Sequence, residues 1–402
     1  MVKTGKLLRS LIRAGTRTAK LFADATLAAT PKPKRKRSAK SSAKTNARRR
    51  TPGVPRKAAP AATKVARSGA RRAAASPTVS ATPGGIDLAA VLSPASVRVP
   101  APAVAPGKWL SSHVVDISGR RMSYWLYLPN NLPARAASRG MPLVVMLHGC
   151  YQSATQFAQG TRMNLWAEKK GYAVLYPQQS VSSHPHRCWK WYDRATQNGG
   201  GDAATIVSIV NKVLAQYAID RSRIYVAGIS AGAGMANILA LNHPALFAAV
   251  GLHSGPVFGA GHNALSALGV MKNGAAGMRA DLAAHDILRR DPHFPGMPAI
   301  LIQGEGDQAV RPINQLQLSH QSQLLNRLSG LPTTTHKLKG RKRNAYRQHD
   351  FYSGSKPVLR VVQVETLDHA WSGGDPELAF NHHAGPDASR MMLEFFSRHR
   401  RG

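Results

Sequence analysis

Cysteine and acidic residues are both scarce in this 402-residue chain. Two cysteines are present, Cys150 and Cys188, which excludes a small disulfide-built scaffold but leaves one bridge open. Acidic residues number 19 against 55 Lys and Arg, so the net charge is +36. The sequence also lacks any run of 18 or more apolar residues, so we expect no membrane-spanning helix.

A usable secretory signal is not evident near the N-terminus. The apolar stretch at residues 7–12 is interrupted by a charge and is shorter than the apolar core that such signals require. The sequence therefore favours a cytoplasmic or granule-associated location.

Positive charge is concentrated in the N-terminal part of the chain. Residues 1–84 contain 22 Lys and Arg against one acid, Asp24. Residues 1–30 place apolar and basic side chains near helical spacing, which predicts a basic amphipathic segment. Residues 31–106 are rich in Lys, Arg, Ala and Pro and can bury no core, so we expect a disordered tail and linker. Such a tail can bind nucleic acid, polyphosphate or an anionic granule surface by its charge, although a tail without a fixed partner is the alternative.

The composition changes at about residue 107 to apolar runs that alternate with helical segments. This pattern predicts an α/β domain over residues 107–402, with a mostly parallel central sheet flanked by helices. Seven strands are predicted, at residues 122–128, 142–147, 172–177, 223–227, 247–252, 299–303 and 359–364. Helices are predicted at 202–217, 231–241 and 386–399, and the basic segment at 336–356 is interpreted as a solvated loop.

A candidate nucleophile lies between a predicted strand and a predicted helix. Residues 228–232 read Gly-Ile-Ser-Ala-Gly, which matches the G-x-S-x-G pattern of the nucleophile elbow. The pattern alone is common by chance, but the strand-turn-helix setting is the one that this chemistry needs. Ser230 is therefore the predicted nucleophile, and it requires a base.

Candidates for the acid and the base follow two later strands. Asp307 comes just after the strand at 299–303, and His369 comes after the strand at 359–364, in the chain order that this fold uses. Glu305 and Asp368 are the nearest rivals for the acid, and a surface carboxylate without a role is the alternative for all three. Four other histidines have no comparable strand-end setting followed by a Gly-rich turn, and we interpret them as surface or packing residues: His253, His320, His382 and His383.

The oxyanion of an acyl-transfer reaction also needs hydrogen-bond donors. Ala231 and the loop at residues 148–152 can supply backbone N–H groups, with Cys150 as the expected second donor. A small buried thiol without a role is the alternative for Cys150. If Cys150 and Cys188 lie close, a disulfide would brace this loop. The chemistry requires no metal and no cofactor.

Together these motifs resemble serine esterases of the polyhydroxybutyrate (PHB) depolymerase type, which include feruloyl and acetylxylan esterases. The resemblance extends over about residues 124–374 and rests on residues 147–152, 163–167, 171–177, 188–192, 228–232, 304–310 and 369–374. It implies an α/β-hydrolase fold, a Ser230/Asp307/His369 triad and an oxyanion donor at Cys150. It also implies ester substrates, with a substrate cleft formed by His148, Gln152, Trp189, Trp191 and Trp371.

The resemblance has departures and alternatives. Many such esterases carry a signal peptide and some carry a substrate-binding domain, and we see neither here. The extracellular region, which the resemblance implies, is the alternative location. Hydrolysis of a small ester or a polyester through an acyl-enzyme is the predicted function. One alternative is a polyanion- or granule-binding protein whose esterase domain is secondary, and another is an inactive scaffold.

Overall fold

The computed structural model describes residues 105–116, 119–328, 334–338, 345–383 and 385–402. The predictions for residues 1–104 lie outside these residues and stay predictions. Within the described part of the chain, no helix has the length and apolar character needed to cross a bilayer.

The described strands form a ten-stranded sheet and a separate two-stranded one. Six strands in the middle of the large sheet run parallel, in the order β4-β3-β5-β6-β7-β10, and antiparallel strands extend both edges. The bounds are β1 Lys108–Val115, β2 Arg121–Leu128, β3 Met141–Leu147, β4 Ala173–Pro177, β5 Ile219–Ile229, β6 Ala249–His253, β7 Ala299–Gly304, β8 Thr334–Leu338, β9 Tyr346–Ser353, β10 Lys356–Val364, β11 Trp371–Ser372 and β12 Asn381–His382.

Helices connect these strands and cover the sheet. Their bounds are α1 Ala134–Arg139, α2 Ala154–Thr161, α3 Met163–Lys170, α4 Arg194–Gln197, α5 Gly201–Gln216, α6 Ala231–Asn242, α7 Ala264–Asn273, α8 Arg279–Arg290, α9 Ile313–Leu325 and α10 Ala388–Phe396. A parallel sheet needs such crossovers, and they bury both of its faces.

The side chains of β3 alternate between the two faces of the large sheet and show how each face is packed. Leu143, Val145 and Leu147 join one apolar cluster, which includes side chains of α5 and α6. Val144 and Met146 join a second cluster, with side chains of α2, α3 and α10. Because successive side chains of a strand point to opposite faces, a strand that is apolar throughout indicates a sheet buried on both sides.

The predicted mostly parallel sheet flanked by helices is confirmed, and each predicted strand overlaps an observed one. The interpretation of residues 336–356 as a solvated loop is wrong. Much of this segment belongs to the antiparallel strands β8 and β9, and β9 pairs with β10 at one edge of the sheet. The basic residues hid this pairing, because an edge strand tolerates charged side chains that a central strand does not.

The topology brings distant loops together. Strands β3, β5, β6, β7 and β10 are consecutive neighbours and run parallel. Their carboxyl ends therefore lie along one edge of the sheet, where ligands bind in open α/β folds.

Candidate active site

Ser230 lies in a sharp turn between β5 and α6. Its backbone has φ 57° and ψ −124°, a conformation that non-glycine residues rarely adopt. The turn is held by the Ser230 N–H, which donates to the carbonyl of His253 at 3.0 Å. The serine is 7% exposed and lies at the carboxyl edge of the sheet.

The two glycines of the elbow allow α6 to approach β3 closely. A Cβ atom on Gly232 would collide with the carbonyl oxygens of Leu147 and His148, and one on Gly228 would collide with Gly232 and Leu147. Neither glycine has a positive φ, and the strained residue is Ser230 itself. Close packing is therefore the reason that this motif needs glycine here.

Asp307 and His369 meet at the ends of β7 and β10. His369 Nδ1 lies 2.8 Å from Asp307 Oδ2. Asp307 Oδ1 accepts the N–H groups of Ala309 and Val310 at 2.9 and 2.8 Å. The two loops are joined by the Gly306 N–H, which donates to the Leu367 carbonyl at 3.1 Å. The fully buried carboxylate is thus oriented toward the ring.

The charges of this pair reinforce one another. Burial alone would raise the pKa of Asp307, but the charge and hydrogen bond of His369, with the Val310 N–H and the Ser254 hydroxyl, lower it below its usual value. Burial alone would lower the pKa of His369, but the adjacent Asp307 raises it above its usual value. The carboxylate of Asp307 therefore stabilises the protonated form of the His369 ring.

Ser230 and His369 line one pocket, together with Gly149, Cys150, Gln152, Ile229, Met271 and Phe380. Its cavity volume is about 20 Å³. Within the described residues, no hydrogen bond joins the Ser230 hydroxyl to His369. Such bonds are often long in ligand-free sites and shorten when substrate binds.

The loop after β3 faces the same pocket. Ala231 is the first residue of α6, so its N–H has no partner inside the helix. Gly149 and Cys150 line the pocket, and the Gly149 N–H donates to Gln152 Oε1 at 2.8 Å. The backbone N–H groups of Ala231 and Cys150 are therefore the candidates for oxyanion donors.

This loop is tied to the segment at 178–189. Cys150 and Cys188 form a disulfide, with their Cα atoms 4.4 Å apart. The Tyr151 N–H donates to the His186 carbonyl at 2.7 Å, and the Trp189 indole donates to the His148 carbonyl at 3.0 Å. The loop is therefore held by three contacts with residues 186–189.

The structure corrects most of the predicted substrate cleft. His148, Trp189 and Trp371 are fully buried and Trp191 is nearly so, and none of the four lines the pocket. His148 instead accepts the Gln179 N–H on Nε2 at 3.1 Å, and burial lowers its pKa to about 4. Of the five predicted residues, Gln152 lines the pocket. Aromatic residues near a motif were mistaken for a binding surface, whereas they form the packing beneath it.

Residues that the sequence interpretation missed lie close to the site. Met271 on α7 and Phe380 before β12 line the pocket. Gln303 Nε2 donates to Asp307 Oδ2 at 2.9 Å. His253 ends β6, so the statement that it lacks a strand-end setting is wrong. A polar residue at or just past the end of a buried strand was the signal for Asp307, and it also applied to His253.

Metal ligation is not indicated by the described residues. They contain no group of three or more His, Cys, Asp or Glu side chains that could hold a metal ion.

Comparison with known sequences identifies the family. The esterase PHB depolymerase family matches residues 122–347, which is more than half of the chain. The chain belongs to this family. The matched segment of the PHB depolymerase family contains Cys150, Ser230 and Asp307, whereas His369 lies beyond it.

Individual relatives are named as esterases or as a depolymerase. A probable acetylxylan esterase A from Aspergillus fumigatus is 37% identical over 133 residues, which cover 33% of this chain and 34% of that protein. Feruloyl esterase B of Thermothelomyces thermophilus is 37% identical over 145 residues, covering 36% and 47%. Poly(3-hydroxyalkanoate) depolymerase C of Paucimonas lemoignei is 28% identical over 247 residues, covering 60% and 57%. The chain thus spans about a third to somewhat over half of these relatives' lengths.

A solved structure supports the fold. The acetyl xylan esterase from Aspergillus awamori aligns with a TM-score of 0.57 and 21% identity, over 72% of this chain and 99% of that one. The domain therefore has the α/β-hydrolase fold of its family.

Proposed function

We propose that the domain at residues 107–402 is a serine ester hydrolase in which Ser230 is the nucleophile, His369 the base and Asp307 the orienting acid. The main support is the 2.8 Å hydrogen bond between His369 Nδ1 and Asp307 Oδ2, next to the pocket that Ser230 also lines. Because Nδ1–H is directed to Asp307, Nε2 is left as the acceptor that a general base needs.

The reaction proceeds in two halves. Ser230 Oγ attacks the ester carbonyl while its proton moves to His369 Nε2, and the tetrahedral oxyanion is bound by the N–H groups of Cys150 and Ala231. His369 then gives the proton to the departing alcohol, which leaves an acyl-serine. Water, deprotonated by His369, attacks this ester, and the acid leaves as the proton returns to Ser230.

The pocket favours esters with a short acyl group. The cavity beside Ser230 is narrow, with a volume of about 20 Å³. Met271 and Phe380 form apolar walls, which suit a methyl group better than a chain. The name acetylxylan esterase of one relative agrees with this size. We therefore assign acetyl and similarly short esters as the substrate class.

A serine variant tests the nucleophile. Ser230→Ala should lower kcat on p-nitrophenyl acetate by about 10⁴- to 10⁶-fold, as expected when a triad serine is removed. A fluorophosphonate probe should label the native protein and not the variant. Ser208→Ala, which removes an exposed serine on α5, is the control and should keep full activity and labelling. Retained turnover or labelling in Ser230→Ala would refute the assignment.

A series of esters tests the substrate class separately. We expect kcat/KM to fall from acetyl to hexanoyl and decanoyl p-nitrophenyl esters, and we expect amorphous PHB to be a poor substrate. A rise of kcat/KM with chain length would reject the short-acyl assignment and leave the serine mechanism intact.

A further inference from the structure

His148 is a fully buried histidine beside the peptide that carries the proposed oxyanion donor at Cys150. Its Nδ1 atom lies 2.8 Å from the carbonyl oxygen of Gly149. That carbonyl and the Cys150 N–H belong to one planar trans peptide unit, in which the C=O and N–H bonds point in opposite directions. A hydrogen bond to the Gly149 carbonyl on one side therefore fixes where the Cys150 N–H points on the other.

The contacts of the second ring nitrogen show that Nδ1 of His148 carries the proton. Burial lowers the pKa of His148 to about 4, so the ring is neutral near pH 7. Nε2 lies 3.1 Å from the backbone nitrogen of Gln179 and 3.2 Å from the side-chain amide nitrogen of Gln178, and both of these groups donate. Nε2 is therefore the acceptor, and Nδ1 donates its proton to the Gly149 carbonyl.

A buried carboxylate holds the partner of Nε2 in place. The Gln179 side chain donates to Oδ2 of the buried Asp202 at 2.6 Å. The other oxygen of this carboxylate accepts from Arg120 Nη1 at 2.7 Å. The residue that donates to Nε2 is thus attached to an ion pair. A rotation of the His148 ring would break its hydrogen bonds on both nitrogens.

The hydrogen bonds inside the loop leave the Cys150 N–H available to the pocket. The Gly149 N–H is taken by Gln152 Oε1 at 2.8 Å. Within the part of the chain that the structure describes, the Cys150 N–H has no acceptor, and Cys150 lines the same pocket as Ser230. The peptide that His148 contacts is therefore the one whose donor is open beside the nucleophile.

We propose that His148 is a positioning residue that orients the Gly149–Cys150 peptide, so that the Cys150 N–H is directed at the oxyanion of the substrate. The inference rests on the proposed function, because it needs an oxyanion beside Ser230. His148 does not touch substrate, since it is fully buried and does not line the pocket. The turn itself holds the peptide less firmly, because the Gln152 N–H donates to the same carbonyl at 3.4 Å.

Two substitutions of His148 separate its two hydrogen bonds. In His148→Asn the amide nitrogen takes the place of Nδ1 and still donates to the Gly149 carbonyl. In His148→Gln the amide oxygen takes the place of Nε2 and still accepts from Gln179, but the donor to the carbonyl is lost. Because the Cys150 N–H is then misdirected rather than removed, kcat of His148→Gln on p-nitrophenyl acetate should fall about tenfold, with KM changed about twofold or less.

The asparagine variant and a distant histidine provide the controls. His148→Asn keeps the donor, so its kcat should stay within about threefold of the native value. His399→Gln replaces a buried histidine outside the pocket and should leave kcat unchanged even where it lowers the melting temperature. A loss of kcat in His148→Asn as large as that in His148→Gln would overturn the proposal.

Binding of methylboronic acid distinguishes a loss of oxyanion binding from a general loss of packing. Its boron adds to Ser230 Oγ and gives a tetrahedral anion with an oxygen at the oxyanion position. Since this adduct resembles the transition state, its Ki should rise about tenfold in His148→Gln, in parallel with the fall in kcat/KM. Ki should stay near the native value in His148→Asn and His399→Gln. An unchanged Ki in His148→Gln would mean that His148 supports the fold alone.

One NMR signal reports on this peptide without turnover. The two cysteines follow Gly149 and Arg187, so the chain contains a single Gly-Cys peptide. With ¹³C at the glycine carbonyls and ¹⁵N at cysteine, an HNCO spectrum shows that peptide alone. A hydrogen bond deshields a carbonyl carbon, so the signal should move to higher field in His148→Gln and stay in place in His148→Asn and His399→Gln.

This signal separates failure of the inference from failure of the proposed function. An unmoved carbonyl carbon in His148→Gln would reject the positioning role of His148, even where Ser230→Ala is inactive. Retained activity in Ser230→Ala would reject the serine mechanism, whatever this carbon does.

Discussion

The two sides of the pocket are held in different ways. On the oxyanion side, the loop at 148–152 is tied to the segment at 178–189 by the Cys150–Cys188 disulfide and by main-chain hydrogen bonds. On the acid–base side, Asp307 is held by N–H groups of its own loop and by the buried side chain of Gln303 near the end of β7. The oxyanion side thus has a covalent link between loops in addition to its hydrogen bonds. The acid–base side is held by hydrogen bonds to particular side-chain atoms.

This difference follows from what each side must supply. An oxyanion donor is a backbone N–H, so the protein needs only to fix the path of the main chain. The acid–base side needs a given tautomer of His369 and a given orientation of Asp307, which depend on individual donors and acceptors. We therefore expect the acid–base side to be the more sensitive to single-atom changes.

The largest effect is expected for Asp307→Asn, which changes one atom. The amide would present an N–H group to His369 and favour the wrong tautomer, so kcat should fall by about 10³- to 10⁴-fold. The matched control is Glu305→Gln, two residues away, whose carboxylate is partly exposed and pairs with Arg347. It should stay within about twofold of the native rate. Steady-state kinetics on p-nitrophenyl acetate measure kcat of both variants. Equal losses of kcat in the two variants would mean that the acid role has been assigned to the wrong carboxylate.

The pattern in the sequence predicted the parts of the site that depend on local features. Ser230 follows from the elbow motif, and Asp307 and His369 follow from their places after buried strands. The edge strands β8 and β9 were missed because their charged residues resemble those of a loop. The buried setting of His253 could not be predicted, because it depends on which atoms face each other across β6 and the segment after β10. The tryptophans were misplaced for the same reason, since burial is a property of the packed structure.

Each side of the site also buries a neutral histidine, His148 on one and His253 on the other, which predicts a loss of stability in acid. The folded-state pKa of His148 is about 4, below the ordinary value of 6.5 in the unfolded chain. The unfolded state therefore binds more protons between these values, so stability is fully present above pH 6.5 and falls as the pH decreases toward 4. His148 alone should contribute a loss on the order of 3 kcal/mol.

Urea unfolding at pH 7, 5 and 4 measures this loss. His148→Gln should be less stable than the native domain at pH 7 and should lose less stability on acidification, since one of the buried histidines that titrate in this range is gone. Asp307, whose pKa is lowered, adds a loss only below its unfolded value of 3.8, outside this window. An unfolding free energy that stays constant from pH 7 to 4 would contradict the neutral buried state of these histidines.

A smaller effect is expected from removing the disulfide, and it tests whether the two sides are independent. Replacing Cys150 and Cys188 together by Ala keeps both backbone N–H groups but frees the loop, so kcat should fall about tenfold through loss of oxyanion binding. The acid limb of kcat/KM should stay at the native pH, above 6.5, because Asp307 raises the pKa of His369 without help from this loop. A reductant should have the same effect on the native protein and none on the double variant. If the acid limb moved with kcat, the disulfide would also support the Asp307–His369 pair, and the division into two separately held sides would be wrong.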